Sequence, residues 1–299
     1  MKLSLTLLSF LFLFGCQKAP EPVTEATLEA EPATEAAAEP KTLEAVLAAQ
    51  PEAAQARYSY RHPQETLEFF GIEPGMHVVE GLPGRGYYTK ILLPYLGEDG
   101  CVIGANYAMD MWPNFSFADE DFLKKQSTWL TDWPADAEEW RGDSGAEIRA
   151  FSMGSMPEDM KGTADVVFYA RVLHNLARFE PIGGYLTASL ADAYAVLKPG
   201  GTFGVVQHHA RDDMSDEFAD GSHGYLKKSF VIAQAEAAGF EFVAESDINA
   251  NPNDQPTAED IVWRLPPTFA TSAEDEDLKA EYEAVGESNR MTLKFRKPE

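Results

Sequence analysis

Cysteine and positive charge are both scarce in this 299-residue chain, and each scarcity excludes something. Two cysteines, Cys16 and Cys101, cannot staple a chain of this length, so the small disulfide-framed scaffolds are ruled out. Lys and Arg number 24 against 49 Asp and Glu, a formal net charge of −25. Nucleic acid and anionic lipid are bound through basic faces that neutralise phosphates, and a chain of this sign is repelled by both. Partners are therefore expected among small molecules, cations and basic proteins. Hydrophobic residues make up 44% of the chain, enough for a sizeable core and for one large domain or two modest ones.

The N-terminus is of a different kind. Met1 and Lys2 precede twelve uncharged residues, Leu3 to Phe14, too few for the ~20 of a membrane-spanning helix but suited to the core of a signal peptide. The junction Leu13-Phe14-Gly15-Cys16 resembles the lipobox of bacterial lipoproteins, which implies cleavage after residue 15 and acylation of Cys16. Residues 16–56, rich in Glu, Ala, Pro and Thr, bury too little to offset their ordering entropy and are expected to be a disordered tether. Eight Glu and two Lys in residues 17–56 account for −6 and Lys2 for +1, which leaves −20 on residues 57–299. The acidity therefore belongs to the domain expected there. The implied location is the cell envelope, with membrane contact through the lipid anchor only.

From residue 57 onward, short apolar runs alternate with helical patterns, the signature of a parallel sheet covered by helices. Strands are predicted at 76–80, 101–106, 147–151, 165–170, 202–207, 240–246 and 291–295. Helices are predicted at 87–96, 121–140, 185–197 and 226–238. The near-continuously apolar run DVVFYA, 165–170, belongs at the sheet centre.

The most informative stretch is VVEGLPGRG, 78–86, where a strand ends in Glu80 and a glycine-containing turn leads into a helix. Glycines let the backbone approach a ligand closely, and a helix N-terminus offers free N–H groups. Glu80 followed by Gly84 and Gly86 resembles the nucleotide-binding loop of class I S-adenosylmethionine-dependent methyltransferases. DVVFYARVLHNL (165–176), LKPGG (197–201) and AAGF (237–240) resemble later landmarks of that superfamily in order and spacing. Pro83 to Thr89 is similar to the loop of a bacterial branch of predicted methyltransferases. The resemblance implies a three-layer, Rossmann-like α/β fold with a seven-stranded, mostly parallel sheet. It also implies S-adenosylmethionine as cofactor, held by Glu80, Gly84, Gly86, Asn106 and Ser152, and a small-molecule acceptor.

Three positions depart from the superfamily pattern. Leu82 stands where the first loop glycine is usual. Asn106 replaces an acid that accepts from the ribose hydroxyls, and Ser152 replaces an aspartate near the adenine amino group. Loss of one charge-assisted hydrogen bond weakens binding by ~1.5–3 kcal/mol. An exported domain that keeps the fold as a binding module without transfer activity is the alternative expectation, since the cofactor is a cytoplasmic metabolite.

His174 follows the fourth predicted strand and His208 and His209 end the fifth, so all three belong at the carboxyl edge, where open parallel sheets bind ligands. His174 and His208 are the candidate acid/base groups; a packing role is the plainer alternative for each. Adjacent strand residues point to opposite faces, so His208 and His209 are not expected to serve one site. His208, His209 and His223 with the acidic loop 212–220 lack a ligand spacing, and no metal is expected. The same loop, with Gly221 and Gly224 as candidate hinges, is a candidate lid. The tryptophans at 112, 129, 133 and 140 are read as packing more readily than as a pocket wall.

Overall fold

The computed structural model describes residues 41–299. The expected signal peptide, the acylated Cys16 and the tether as far as residue 40 lie outside the described residues. Among the described residues no helix is long and apolar enough to cross a membrane.

Four helices precede the sheet: α1 (Leu43–Ala48), α2 (Glu52–Gln55), α3 (Tyr58–Arg61) and α4 (Pro63–Phe70). Then follow β1 (His77–Gly81), α5 (Thr89–Leu96), β2 (Cys101–Asn106), α6 (Glu120–Ser127), α7 (Trp129–Arg141) and β3 (Glu147–Ser152). The second half runs β4 (Ala164–Ala170), α8 (Leu173–Gly183), α9 (Tyr185–Val196), β5 (Leu197–His208), α10 (Lys228–Ala237), β6 (Glu241–Ser246), α11 (Glu276–Val285) and β7 (Arg290–Arg296).

The seven strands lie in the order β3-β2-β1-β4-β5-β7-β6, parallel except for β7, which runs antiparallel to both neighbours. Strand periodicity divides the core. Val78, Val102, Val166 and Phe168 point to the face covered by α1, α4, α5 and α7, while Val79, Ile103, Val167 and Tyr169 point to the face covered by α8, α9 and α10. Both faces of β1 and β4 are buried, which is why these strands read as unbroken apolar runs.

The boundary expected at residue 57 is corrected. Leu43, Val46 and Leu47 have the i, i+3, i+4 spacing of one helical face and are buried against α5, with Thr42 capping the helix through Ala45 N–H. Gln50 Nε2 donates to Lys90 O at 3.0 Å, a second tie to α5. The segment from Thr42 to Ala56 is thus part of the fold rather than tether. The helix expected over 121–140 is two, broken at Thr128, and α8 had no counterpart in the sequence reading.

Candidate functional site

The carboxyl ends of β1, β2 and β3 carry the predicted cofactor residues. Glu80, next to last in β1, is almost fully buried, and Thr89 Oγ1 donates to its Oε2 at 2.6 Å. Its Oε1 accepts no hydrogen bond among the described residues. Burial raises the Glu80 carboxyl to about 7, against the opposing pull of the Thr89 hydroxyl, so it exchanges its proton near neutrality.

Leu82 has φ 50°, the left-handed backbone that favours glycine. The loop therefore keeps its glycine-type conformation with a leucine in place, at a cost of roughly 1–2 kcal/mol. The Leu82 side chain packs against the core, and its N–H donates to Ala105 O at 2.7 Å. Gly84 is exposed, and a Cβ there would meet only the loop's own Leu82 carbonyl, at 3.8 Å. Gly86 is different. A Cβ at Gly86 would collide with the Trp140 ring, so this glycine serves close packing of α7 on the loop rather than approach to a ligand.

Asn106 is buried and internally bonded: Oδ1 accepts from Tyr107 N–H at 2.9 Å, and Nδ2 donates to Gln126 Oε1 at 3.1 Å. Each of its polar atoms keeps capacity for one further bond. Ser152 ends β3 beside Asn106 in register, half-buried. Tyr107 OH donates to Val172 O at 2.8 Å, tying the end of β2 to the segment after β4. Glu80 with a spare oxygen, the open turn at Gly84 and the residual capacity of Asn106 fit a nucleoside cofactor, with fewer charged contacts than the superfamily pattern supplies.

The ends of β4, β5 and β7 bring together a different chemistry. Gln207 and His208 end β5. His174, in the first turn of α8, lies with its ring centroid 5.4 Å from that of His208. His174 Nδ1 is 3.3 Å from Gln207 Nε2, and His208 Nδ1 shares a 2.6 Å hydrogen bond with Ser288 Oγ. Burial lowers both imidazoles, His174 to about 4, with the nearby Arg171 adding to the effect in each case, so both rings are neutral at pH 7. His208 lines a cavity of about 210 Å³ that also includes Arg61, Arg171, Trp263, Glu287 and Ser288. His209 lines a separate, smaller depression with Lys228 and Asp247, as strand alternation requires.

Sequence reasoning missed the arginines. Arg171 follows β4 with φ 61°, another side-chain-bearing residue in the left-handed region, while its N–H donates to Val206 O at 2.7 Å. Burial, then Arg61 and Arg290, push its guanidinium down to about 9, still protonated at neutral pH. Burial alone would raise Glu287, yet Arg61, Arg290, Arg171 and Arg57 outweigh it and hold the carboxyl below the usual range.

The loop 212–220 is not a free lid. Met214, Phe218 and Ala219 form an apolar cluster with Tyr225 and Val262, and a Cβ at Gly221 would strike the His174 carbonyl. The tryptophans pack: Trp112 in the core against Tyr107, and Trp133 buried against Trp129. Among the described residues no three His, Cys, Asp or Glu side chains converge as a metal site would need.

A sheet ordered β3-β2-β1-β4-β5-β7-β6 with one antiparallel strand and helices on both faces decides the architecture. The fold is that of the class I methyltransferases. No protein-family model matches the chain, and no curated relative matches it. Solved structures similar to it include a SAM-dependent methyltransferase from Aquifex aeolicus, 17% identical, covering 70% of this chain and 94% of that one with a TM-score of 0.43. Another is an arsenic(III) S-adenosylmethionine methyltransferase from Chlamydomonas reinhardtii, 16% identical, with 88% and 75% covered and a TM-score of 0.42. A third is a geranyl diphosphate methyltransferase in complex with SAM, 15% identical, with 85% and 94% covered and a TM-score of 0.48. Identities this low leave activity and substrate unassigned, and the fold rests on the strand order itself.

Proposed function

We propose that this chain is an S-adenosylmethionine-dependent methyltransferase for a small-molecule acceptor, tethered to the cell envelope through lipid on Cys16. The observation that carries the reading is the β1–α5 turn: in a sheet of methyltransferase order, Glu80 stands near the end of β1 with one oxygen unbonded among the described residues, and an open Gly84 precedes a helix N-terminus. Glu80, Gly84, Asn106 and Ser152 would hold the cofactor, with Gly86 shaping the loop through its contact with Trp140. The cofactor supplies a methyl group on a sulfonium, ready for in-line displacement.

The acceptor side falls to the β4–β5 edge. His208 is neutral, with Nδ1 engaged by Ser288 and no bond to Nε2 among the described residues. It is therefore in the form that takes a proton from an acceptor oxygen or nitrogen, although its lowered basicity suits a transient rather than a stable protonation. His174, behind it against Gln207, acts as a positioning residue for this ring.

Calorimetric titration of the full chain with S-adenosylmethionine and S-adenosylhomocysteine tests the reading. Saturable binding that is lost in Gly84→Val, whose side chain would fill the open turn, is the expected outcome. Absence of heat at millimolar ligand would instead favour the same fold used as a binding module. For the anchor, a labelled fatty acid should mark the wild type and not Cys16→Ala; equal labelling would remove it.

A further inference from the structure

Glu287 gathers more positive charge than it can balance. Arg57 donates to its Oε1 through Nε and Nη2, and Arg61 Nε reaches both carboxylate oxygens at 3.1–3.2 Å. Arg290 Nη1 stands 3.3 Å and Arg171 Nη1 3.9 Å from Oε2. Four guanidiniums thus face one carboxylate, a formal surplus of +3 inside a chain of net charge −25. Like charges held together in a poorly solvated space repel strongly, and the lowered Arg171 and Arg290 register that repulsion beside the effect of burial.

Two of the four do not line the cavity at His208. Arg57 is held by Glu287, and Arg290 also donates to Ser288 O and Tyr60 O. The other two keep donors to spare. Arg61 uses only Nε, its guanidinium lying 4.4 Å over the Tyr87 ring, and the Arg171 side chain makes no hydrogen bond among the described residues. Both line the 210 Å³ cavity, together with the polar Ser288 and His208 and the apolar Trp263 and Leu265.

We propose that this cavity binds a small molecule bearing an oxyanion, a carboxylate or a phosphate group, which Arg61 and Arg171 hold while its apolar body rests against Trp263 and Leu265. Guanidinium donors match the paired oxygens of such groups, and a negative charge here cancels a surplus that a neutral ligand leaves standing and a cation worsens. The neighbouring imidazoles are neutral and add no competing charge. The volume is below the ~300–1,000 Å³ of drug-sized pockets, which limits the occupant to a small molecule. That this molecule is the methyl acceptor rests on the function proposed above; the preference for an oxyanion stands without it.

The test titrates the full-length chain with benzoate, phenyl phosphate and the neutral isostere benzamide at constant ionic strength, read by calorimetry and by melting temperature. Benzoate or phenyl phosphate should bind roughly tenfold or more tightly than benzamide and raise the melting temperature. Whichever anion binds more tightly identifies the oxyanion. Arg171→Gln should weaken that binding by roughly tenfold or more. Without ligand, its melting temperature should stay level or rise, because one of four mutually repelling cations is gone. A purely structural arginine would destabilise the protein when removed. Arg171→Lys, which keeps the charge but not the fork, should retain part of the affinity. Equal binding of benzamide, no saturable binding of either anion, or undiminished binding in Arg171→Gln overturns the proposal. S-adenosylhomocysteine titrated into the same sample separates the two claims: anion binding without cofactor binding removes only the methyltransferase reading, and the reverse removes only the oxyanion pocket.

Discussion

The two halves of the carboxyl edge are built on opposite terms. At the ends of β1–β3 the polar groups are partly engaged inward and little charge is on offer: Glu80 is held by Thr89 through one oxygen, and Asn106 lies between Tyr107 N–H and Gln126. At the ends of β4, β5 and β7 charge is in excess, with four arginines around Glu287 and unused donors on Arg61 and Arg171. The lesson concerns where the chain invests its specificity. The half proposed to hold the cofactor presents few charged contacts, whereas the half proposed to face the acceptor presents many and tolerates a strained backbone at Arg171.

The comparison can be broken most forcefully at Glu287. Glu287→Gln takes from the four guanidiniums the only carboxylate they share among the described residues, and a loss of about 3–5 kcal/mol in unfolding free energy is expected from denaturant titration. Adding Arg171→Gln to that variant should gain more stability than the same substitution gains in the wild type, because repulsion among the remaining cations is no longer offset by the carboxylate. Independent, additive effects of the two substitutions would show that the arginines do not act as one cluster.

On the opposite half, Glu80 makes stability depend on pH. Its folded-state value of about 7 lies above the ordinary 4.5, so the native state binds the extra proton; the associated stability is complete below 4.5 and lost as pH rises through 7. The loss amounts to ~3 kcal/mol. Glu80→Gln should remove this dependence, matching the wild type at pH 4.5 and exceeding it at pH 8, and parallel pH profiles of the two proteins would contradict the assignment.

Gly86→Ala places a Cβ against Trp140 at φ 78°, and a destabilisation of about 1–3 kcal/mol is expected. Unchanged stability with lost cofactor binding would mean that Gly86 faces the ligand after all. The smallest effect should be a gain: Asn106→Asp restores a charged acceptor while Tyr107 N–H and Gln126 can still bond to it, so S-adenosylhomocysteine should bind about tenfold more tightly. Weaker binding in this variant would place the ribose elsewhere.

How far the sequence foretold this depended on the range over which each feature is encoded. Strands such as DVVFYA, and the turn from Glu80 to Gly86, are local, and their order was enough to give the methyltransferase-type sheet. The N-terminal boundary failed because Leu43, Val46 and Leu47 are only three apolar residues in an Ala- and Glu-rich stretch, and their helix matters only once α5 is there to receive it. The arginine cluster was illegible for the same reason at longer range. Arg57, Arg61, Arg171 and Arg290 are spread over more than two hundred residues, and of the four only Arg290 is near Glu287 in sequence. An arginine immediately after the central strand, in a chain with few cations, was the one local hint. Composition pointed the other way: a domain acidic overall conceals a basic interior pocket.

Hydrogen exchange of the backbone amides in the full chain, with and without ligand, tests this division of the edge most directly. S-adenosylhomocysteine should slow exchange at residues 80–90 and 106–108, and the preferred anion, benzoate or phenyl phosphate, at 171–175 and 287–290, with little overlap. Protection of the same segment by both ligands, or of neither half by S-adenosylhomocysteine, would contradict the account.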